Sequence, residues 1–278
     1  MRLLLLGLWG MIACVHRPRP SDHLFPQTVT IMGHRGARGL APENTPPAFD
    51  IARELGIPFE LDTMVCGSGE LVVIHDETLD RTTDGSGAVS ETPLATIRTL
   101  RADQDHDVPV EGAVVPTLDA VLEAYGEDVL VNIEVKAEPG ANAAALAGSV
   151  ADVIEARGLV ERVIVTSFNP FVLAALRERN PAIFRGQLYG TFKGTDLGWF
   201  TRTLLKNLAF NRRVQPDLLM AEAALITPRY ARKMHRRGYR IIVWTVNDPV
   251  EARRLIDAGV DGIITDRPDL LRDLRPGR

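Results

Sequence analysis

Two histidines, His34 and His75, each close a short apolar run, Val29–Met32 and Leu71–Ile74. Between them Glu60 and Asp62 stand two residues apart in the apolar-rich run Ile57–Val65. In an extended chain residues i and i+2 share a face, so the two carboxylates project together. Side-by-side carboxylates are costly to bury unless a cation compensates them. Hard divalent ions such as Mg²⁺ or Ca²⁺ take oxygen ligands of this kind. Imidazole is the side chain best suited to moving protons near neutral pH, and Arg35, directly after the first histidine, offers a planar fork that matches a phosphate. Each feature alone has a plain alternative, a packing histidine or an edge strand with two solvated acids. Two histidines at strand ends bracketing paired acids are harder to explain as packing.

The surrounding chain carries short signatures in a fixed order. His34-Arg35-Gly36 is followed by Pro42-Glu43-Asn44-Thr45 and Ala48-Phe49, then Glu60-Leu61-Asp62, then Val72-Val73-Ile74-His75-Asp76, then Leu79-Asp80-Arg81-Thr82-Thr83-Asp84-Gly85-Ser86-Gly87. With Asn132–Lys136 and Val243–Asn247, this set resembles the glycerophosphodiester phosphodiesterase family. The match is dense between Gly33 and Gly87 and touches most of the chain after residue 28. The resemblance implies an α/β fold, a (β/α)₈ TIM barrel. It implies His34 and His75 as the acid/base pair, and one divalent cation held by Glu60, Asp62 and a later Glu. The implied substrate is a small-molecule glycerophosphodiester, and the products are glycerol 3-phosphate and an alcohol such as choline or ethanolamine. It also gives Glu43 and Asn44 a supporting place at the substrate pocket and sets Trp244 at the mouth, against the glycerol.

A barrel supplies the positioning that these residues need. Eight apolar runs, counted from Val29, alternate with helical segments, as βα units do. A barrel of about 250 residues is one domain, here residues 28–278. In the third barrel strand, within Asp128–Lys136, Val129, Val131, Ile133 and Val135 face one way and Asn132, Glu134 and Lys136 the other. A polar face on a buried strand needs partners. The mouth of a barrel provides them, because side chains at the C-terminal strand ends build the site. Glu134 is then the third metal ligand, and Lys136 neutralises a phosphate oxygen; the competing reading is a Glu134–Lys136 ion pair facing solvent. The turn-rich stretch from about 77 to 115 is too long for a barrel loop and is expected as a small insertion between the second strand and its following helix. Asn44 or Thr45 is placed to cap the helix 46–55, and Thr117 the helix after the insertion. The basic, aromatic run Trp199–Arg213 is expected as an outer barrel helix with a solvated basic face, the alternative being an amphipathic helix that meets a membrane surface. His106 and His235 are expected at the surface.

The first 14 residues, one Arg followed by an apolar run ending at Cys14, are too short to span a bilayer and fit a signal peptide. Met11-Ile12-Ala13-Cys14 is similar to a lipoprotein cleavage box. Lipidation of Cys14 would anchor an exported protein to a membrane facing the periplasm or cell exterior, with residues 15–27, Pro-rich and polar, as a tether; the alternative is a plain secretory signal and a periplasmic or secreted protein. His16 and His23 belong to that tether and have no chemical role. Cys66, the only other cysteine, would then have no disulfide partner. A net charge of −4 provides no basic surplus for a nucleic-acid partner. Two readings compete with the diesterase: a related phospholipase D-like barrel enzyme acting on lysophospholipids or sphingolipids, and a non-catalytic lipid-anchored binding protein. The residues are equally compatible with Mg²⁺ or Ca²⁺, with either histidine as the acid, and with attack by water or by a substrate hydroxyl that gives a cyclic phosphate. They carry no signal for oligomeric state.

Overall fold

Runs rich in Val, Ile and Leu, each followed by a helix that carries the chain back, can only pair in parallel. In the computed structural model, which describes residues 16–25, 29–137, 140–194 and 198–274, they do so. The strands are β1 (Thr30–Gly33), β2 (Phe59–Val65), β3 (Leu71–Val73), β4 (Val131–Val135), β5 (Val163–Ser167), β6 (Phe184–Tyr189), β7 (Leu218–Glu222), β8 (Arg240–Trp244) and β9 (Gly262–Thr265). All but β3 pair in parallel, and the ring closes through β1, which pairs with both β9 and β2. The eight parallel strands form the (β/α)₈ barrel expected from the sequence.

The helices are α1 (Pro46–Glu54), α2 (Leu94–Ile97), α3 (Leu118–Tyr125), α4 (Ala143–Ala156), α5 (Pro170–Arg179), α6 (Trp199–Lys206), α7 (Asn211–Val214), α8 (Pro228–His235), α9 (Pro249–Ala258) and α10 (Pro268–Leu271). Alternation along the strands sorts side chains between helix layer and barrel interior. Phe59, Leu61, Val131 and Ile133 face outward and share a buried cluster with Phe49 of α1, Leu118 of α3 and Val150 of α4. Met32, Ile164, Leu188, Met220, Ile242 and Ile264 form a second cluster inside the barrel. On β2 and β4 the inward parity falls to Glu60, Asp62, Asn132 and Glu134, all buried. Register puts Glu60 beside Asn132 and Asp62 beside Glu134. One side of the barrel interior is thus polar near its mouth, and the other side is apolar.

The short run that ends at His75 lies outside the eight barrel strands, in agreement with the count from the sequence: β2 runs past the mouth and pairs with β3 in an antiparallel hairpin, which returns the chain to the site. The segment after it, 77–115, makes its own small core, where Leu79, Val89, Leu94 and Ile97 pack on Val72 and the free, buried Cys66 of the hairpin. Residues 16–25, expected as a tether, are docked across the bottom of the barrel. Their Pro and polar content hid two anchors: Leu24 and Phe25 are buried in the interior cluster, and Arg19 grips Asp217. Finally, α6 is not an outer barrel helix. It buries none of its residues and lies near the mouth, where Thr201 and Leu205 line a groove together with Glu134. The signal-peptide and Cys14 readings fall outside the described residues.

Candidate active site

The loop after β1 is bent tightly by Arg35 and Gly36, both in the left-handed region (φ 51° and 85°). A Cβ at Gly36 would lie 2.7 Å from Ala48, so only glycine lets α1 pack onto this turn. Arg35 has no such excuse, and a strained arginine at a strand end is typical of a functional loop. Its backbone N–H donates to Glu60 Oε2 at 2.9 Å, and its side chain is buried between Glu43 (2.7 Å) and Asp62 (3.2 Å).

Asn44 does not cap α1. It too adopts a left-handed backbone (φ 59°), and its amide pairs both ways with Asp62: Nδ2 donates to Oδ2 at 2.9 Å, and Oδ1 accepts from the Asp62 N–H at 3.1 Å. Thr45 occupies the cap position but spends its hydroxyl on Pro42 O. The signal that could have revealed this is the Pro following Thr45, which already presets the helix start. Thr117 does cap α3 as expected.

Oxygens of Glu60, Asp62 and Glu134 lie within 4.8 Å of one another. Glu60 Oε1 is buried without a hydrogen-bond partner, and so is Asn132 Oδ1 beside it. A pair of orphaned buried oxygens next to converging carboxylates fits a hard divalent cation. Lys136 reaches into the group, 2.9 Å from Asp62 Oδ1 and paired with Glu134 Oε1. The Glu134–Lys136 pair therefore exists, but Glu134 is buried at the mouth rather than turned to solvent.

Burial pushes the Glu60 carboxyl well above the usual range, and the neighbouring Asp62 and Glu134 push the same way. Burial likewise raises Glu134, against the pull of Lys136. Asp62 is the exception: burial would raise it, but Lys136, Arg35 and the Asn44 amide hold it low. His75 is lowered by burial, with Lys136 and Arg35 adding to the effect and Asp62 opposing it.

Both histidines line one small cavity with Glu60, Glu134 and Lys136, and Trp244 lines it on the far side. Each imidazole is oriented by a carboxylate that sequence reasoning did not single out. His34 Nδ1 meets Asp266 at 2.6 Å, leaving Nε2 toward the site, 4.0 Å from Glu60. His75 Nδ1 meets Asp76, also at 2.6 Å. Behind them, Asn247 holds Asp266 at 2.7 Å, and Arg81 spans Asp76 (2.5 Å) and Glu43 (2.6 Å). Arg81 keeps the Asp76 carboxyl down at about 2, against the cost of burial. Asp76 directly follows its histidine and could have been found from that; Asp266 is 232 residues from its partner, and only the closed barrel brings them together. Trp244 ends β8 as expected, its indole N–H on Met220 O at 3.0 Å and its ring edge-on to Phe168 at 5.4 Å. Arg35 and Lys136 line the cavity, whereas Asn44 stands behind it, bonded to Asp62 and, through its backbone N–H, to Arg35 O. His235 pairs with Asp261 on the exterior, and His106 with Asp105.

Residues 34–270 match the glycerophosphoryl diester phosphodiesterase family. The chain belongs to that family. The enzyme reading of the sequence, glycerophosphodiester phosphodiesterase, agrees with this membership. A glycerophosphodiester phosphodiesterase of Caldanaerobacter subterraneus is 36% identical over 250 residues, covering 88% of this chain and 96% of the relative. The crystal structure of a glycerophosphodiester phosphodiesterase from Agrobacterium tumefaciens superposes with a TM-score of 0.70 at 30% identity, over 88% of this chain and all (100%) of that one. An Oleispira antarctica phosphodiesterase, solved in complex with its product sn-glycerol-3-phosphate, superposes with a TM-score of 0.74 at 26% identity, over 87% and 95% of the two chains.

Proposed function

We propose that the protein hydrolyses glycerophosphodiesters to glycerol 3-phosphate and an alcohol, with His34 and His75 carrying the protons and with a divalent cation, Mg²⁺ or Ca²⁺, held by Glu60, Asp62 and Glu134. The observation that carries this reading is the convergence of those three acids beside two imidazoles, each fixed by its own carboxylate. When bound, the cation would offset charge on the phosphate and favour ionisation of a nearby hydroxyl.

The chain's own groups do the rest. Arg35, held by Glu43, presents its guanidinium to a phosphate oxygen at the cavity wall. Lys136 turns from Asp62 and Glu134 toward a second phosphate oxygen once those carboxylates are otherwise compensated. With Nδ1 of each imidazole bound to a carboxylate, Nε2 is left to exchange protons. One histidine accepts a proton from the attacking hydroxyl, and the other delivers one to the departing alcohol. Trp244 and Phe168 present apolar surface to the carbon skeleton of the glycerol. The N-terminal run ending at Cys14 supports export and membrane anchoring by a lipid, with the docked segment 16–25 setting the bottom of the barrel toward the anchor. The test is release of glycerol 3-phosphate from a panel of diesters, with and without chelator. Turnover that chelator abolishes and cation restores is the expected result; no release from any diester would refute the reading.

A further inference from the structure

The catalytic cavity has a volume of about 140 Å³. Sites that enclose a whole small ligand span roughly 300–1,000 Å³, so this one holds only a compact part of a diester. The phosphate and the three-carbon glycerol are that part, walled in by Leu188, Ile264 and Trp244. The other ester arm must leave through the mouth.

There it meets a second space of about 490 Å³, which shares His75, Glu134, Lys136 and Phe168 with the cavity. Away from those shared residues its walls are mostly apolar: Met64 of β2, Phe171 of α5, Phe192, Leu205 of α6 and Phe210. Phe192 holds a left-handed backbone (φ 52°), strained for a bulky residue, and that conformation presents its ring edge-on to Phe168 at 5.9 Å. Among the described residues Glu77 is the only acid on the outer walls, and the Arg213 guanidinium already lies over the Phe171 ring at 5.7 Å. The groove is therefore larger and greasier than a small polar or cationic alcohol needs.

On the diesterase reading above, we propose that this groove receives an apolar chain on the departing alcohol. The preferred substrates are then glycerophosphodiesters of hydrophobic alcohols rather than of choline or ethanolamine. The chain passes His75 as it leaves the cavity, so the groove and the scissile bond meet at that imidazole.

The test is kcat/KM for glycerol 3-phosphate release from the ethyl, butyl, hexyl and octyl esters of glycerophosphate and from glycerophosphocholine, with choline release from lysophosphatidylcholine followed alongside. Burial of a methylene is worth about 0.8 kcal/mol, or roughly a factor of four. The series should climb by up to that factor per carbon until the groove is full, and the octyl ester should exceed glycerophosphocholine by at least about tenfold. Leu205→Ser and Phe171→Ser, both at partly exposed positions, should flatten the series by about tenfold at the octyl ester and change glycerophosphocholine less. A flat series with active hydrolysis, or a preference for the choline ester, overturns the groove assignment and leaves the diesterase reading standing. Hydrolysis of lysophosphatidylcholine that falls in the two serine variants overturns it too, because the chain would then belong to the glycerol side. Absence of glycerol 3-phosphate from every ester overturns both.

Discussion

The two ends of the barrel both bury charge, and they do so in opposite ways. At the bottom, Asp217 is surrounded by donors: Arg19 Nε and Nη2 at 2.9 and 2.7 Å and the Arg185 N–H at 3.0 Å. Arg19 also donates to the carbonyls of Ala182 and Ile183, and its guanidinium stacks on Phe184. Both Asp217 oxygens are thus partnered, although Arg185 Nε beside them has no hydrogen-bond partner among the described residues, and the pairing pins the N-terminal segment under the barrel. At the mouth, Glu60, Asp62 and Glu134 crowd one another, Glu60 Oε1 has no partner, and the carboxyls of Glu60 and Glu134 are pushed upward. A single carboxylate compensated by arginines serves the fold; carboxylates crowded on one another in the same barrel mark where something else must bind.

The comparison breaks most easily at the mouth. His34→Ala and His75→Ala should each lower hydrolysis by about 10²–10⁴-fold while leaving the thermal unfolding midpoint near that of the parent. Full activity in either would remove that histidine from the mechanism. The reverse pattern belongs to the bottom. Asp217→Ala leaves Arg19 and the buried Arg185 without their carboxylate. It should cost about 3 kcal/mol, at the low end for a buried pair because Arg19 is about one-third exposed. Denaturant titration would register that loss, and activity per folded molecule should be unchanged; a fall in activity without a fall in stability would erase the distinction between the two ends.

Smaller effects sharpen it. Asp76→Asn keeps the His75 contact but removes the charge that Arg81 and the imidazole share. A loss of roughly ten- to a hundredfold in kcat is expected, with little change in KM and a shifted acid limb of the pH profile. An unchanged pH profile would make Asp76 merely structural. The smallest expected effect concerns pH and cation together. Glu60 and Glu134 have folded-state values above their unfolded ones. Their contribution to the stability of the metal-free protein is therefore fully present below about pH 4.5 and is lost as pH rises through the folded values. Added Mg²⁺ or Ca²⁺ should reverse that loss, so its thermal shift should be larger at about pH 8 than at about pH 5. A shift independent of pH would place the cation elsewhere.

Much of this architecture was legible before the fold was seen. Eight apolar runs with helices between them require a closed parallel sheet, and the parity of Glu60, Asp62 and Glu134 within β2 and β4 turns them inward. What could not be read is what depends on closure or on docking. Asp266 reaches His34 only because β9 returns to β1. Asn44 looked like a helix cap because Asp62, its real partner, lies across a loop and not along the chain. The segment 16–25 looked like a tether because its polar composition outweighs two buried side chains and one arginine. In α6, the basic and aromatic pattern is the same for a helix packed on the barrel wall as for one at the rim of the mouth, and burial alone separates them.

The central claim is that three carboxylates share one cation, and calorimetric titration of metal-free protein with Mg²⁺ and with Ca²⁺ tests it without recourse to turnover. The parent should bind one equivalent of at least one of these ions, and Glu60→Gln combined with Glu134→Gln should bind none while remaining folded. Undiminished binding by the double variant, or no binding by the parent, would contradict the account.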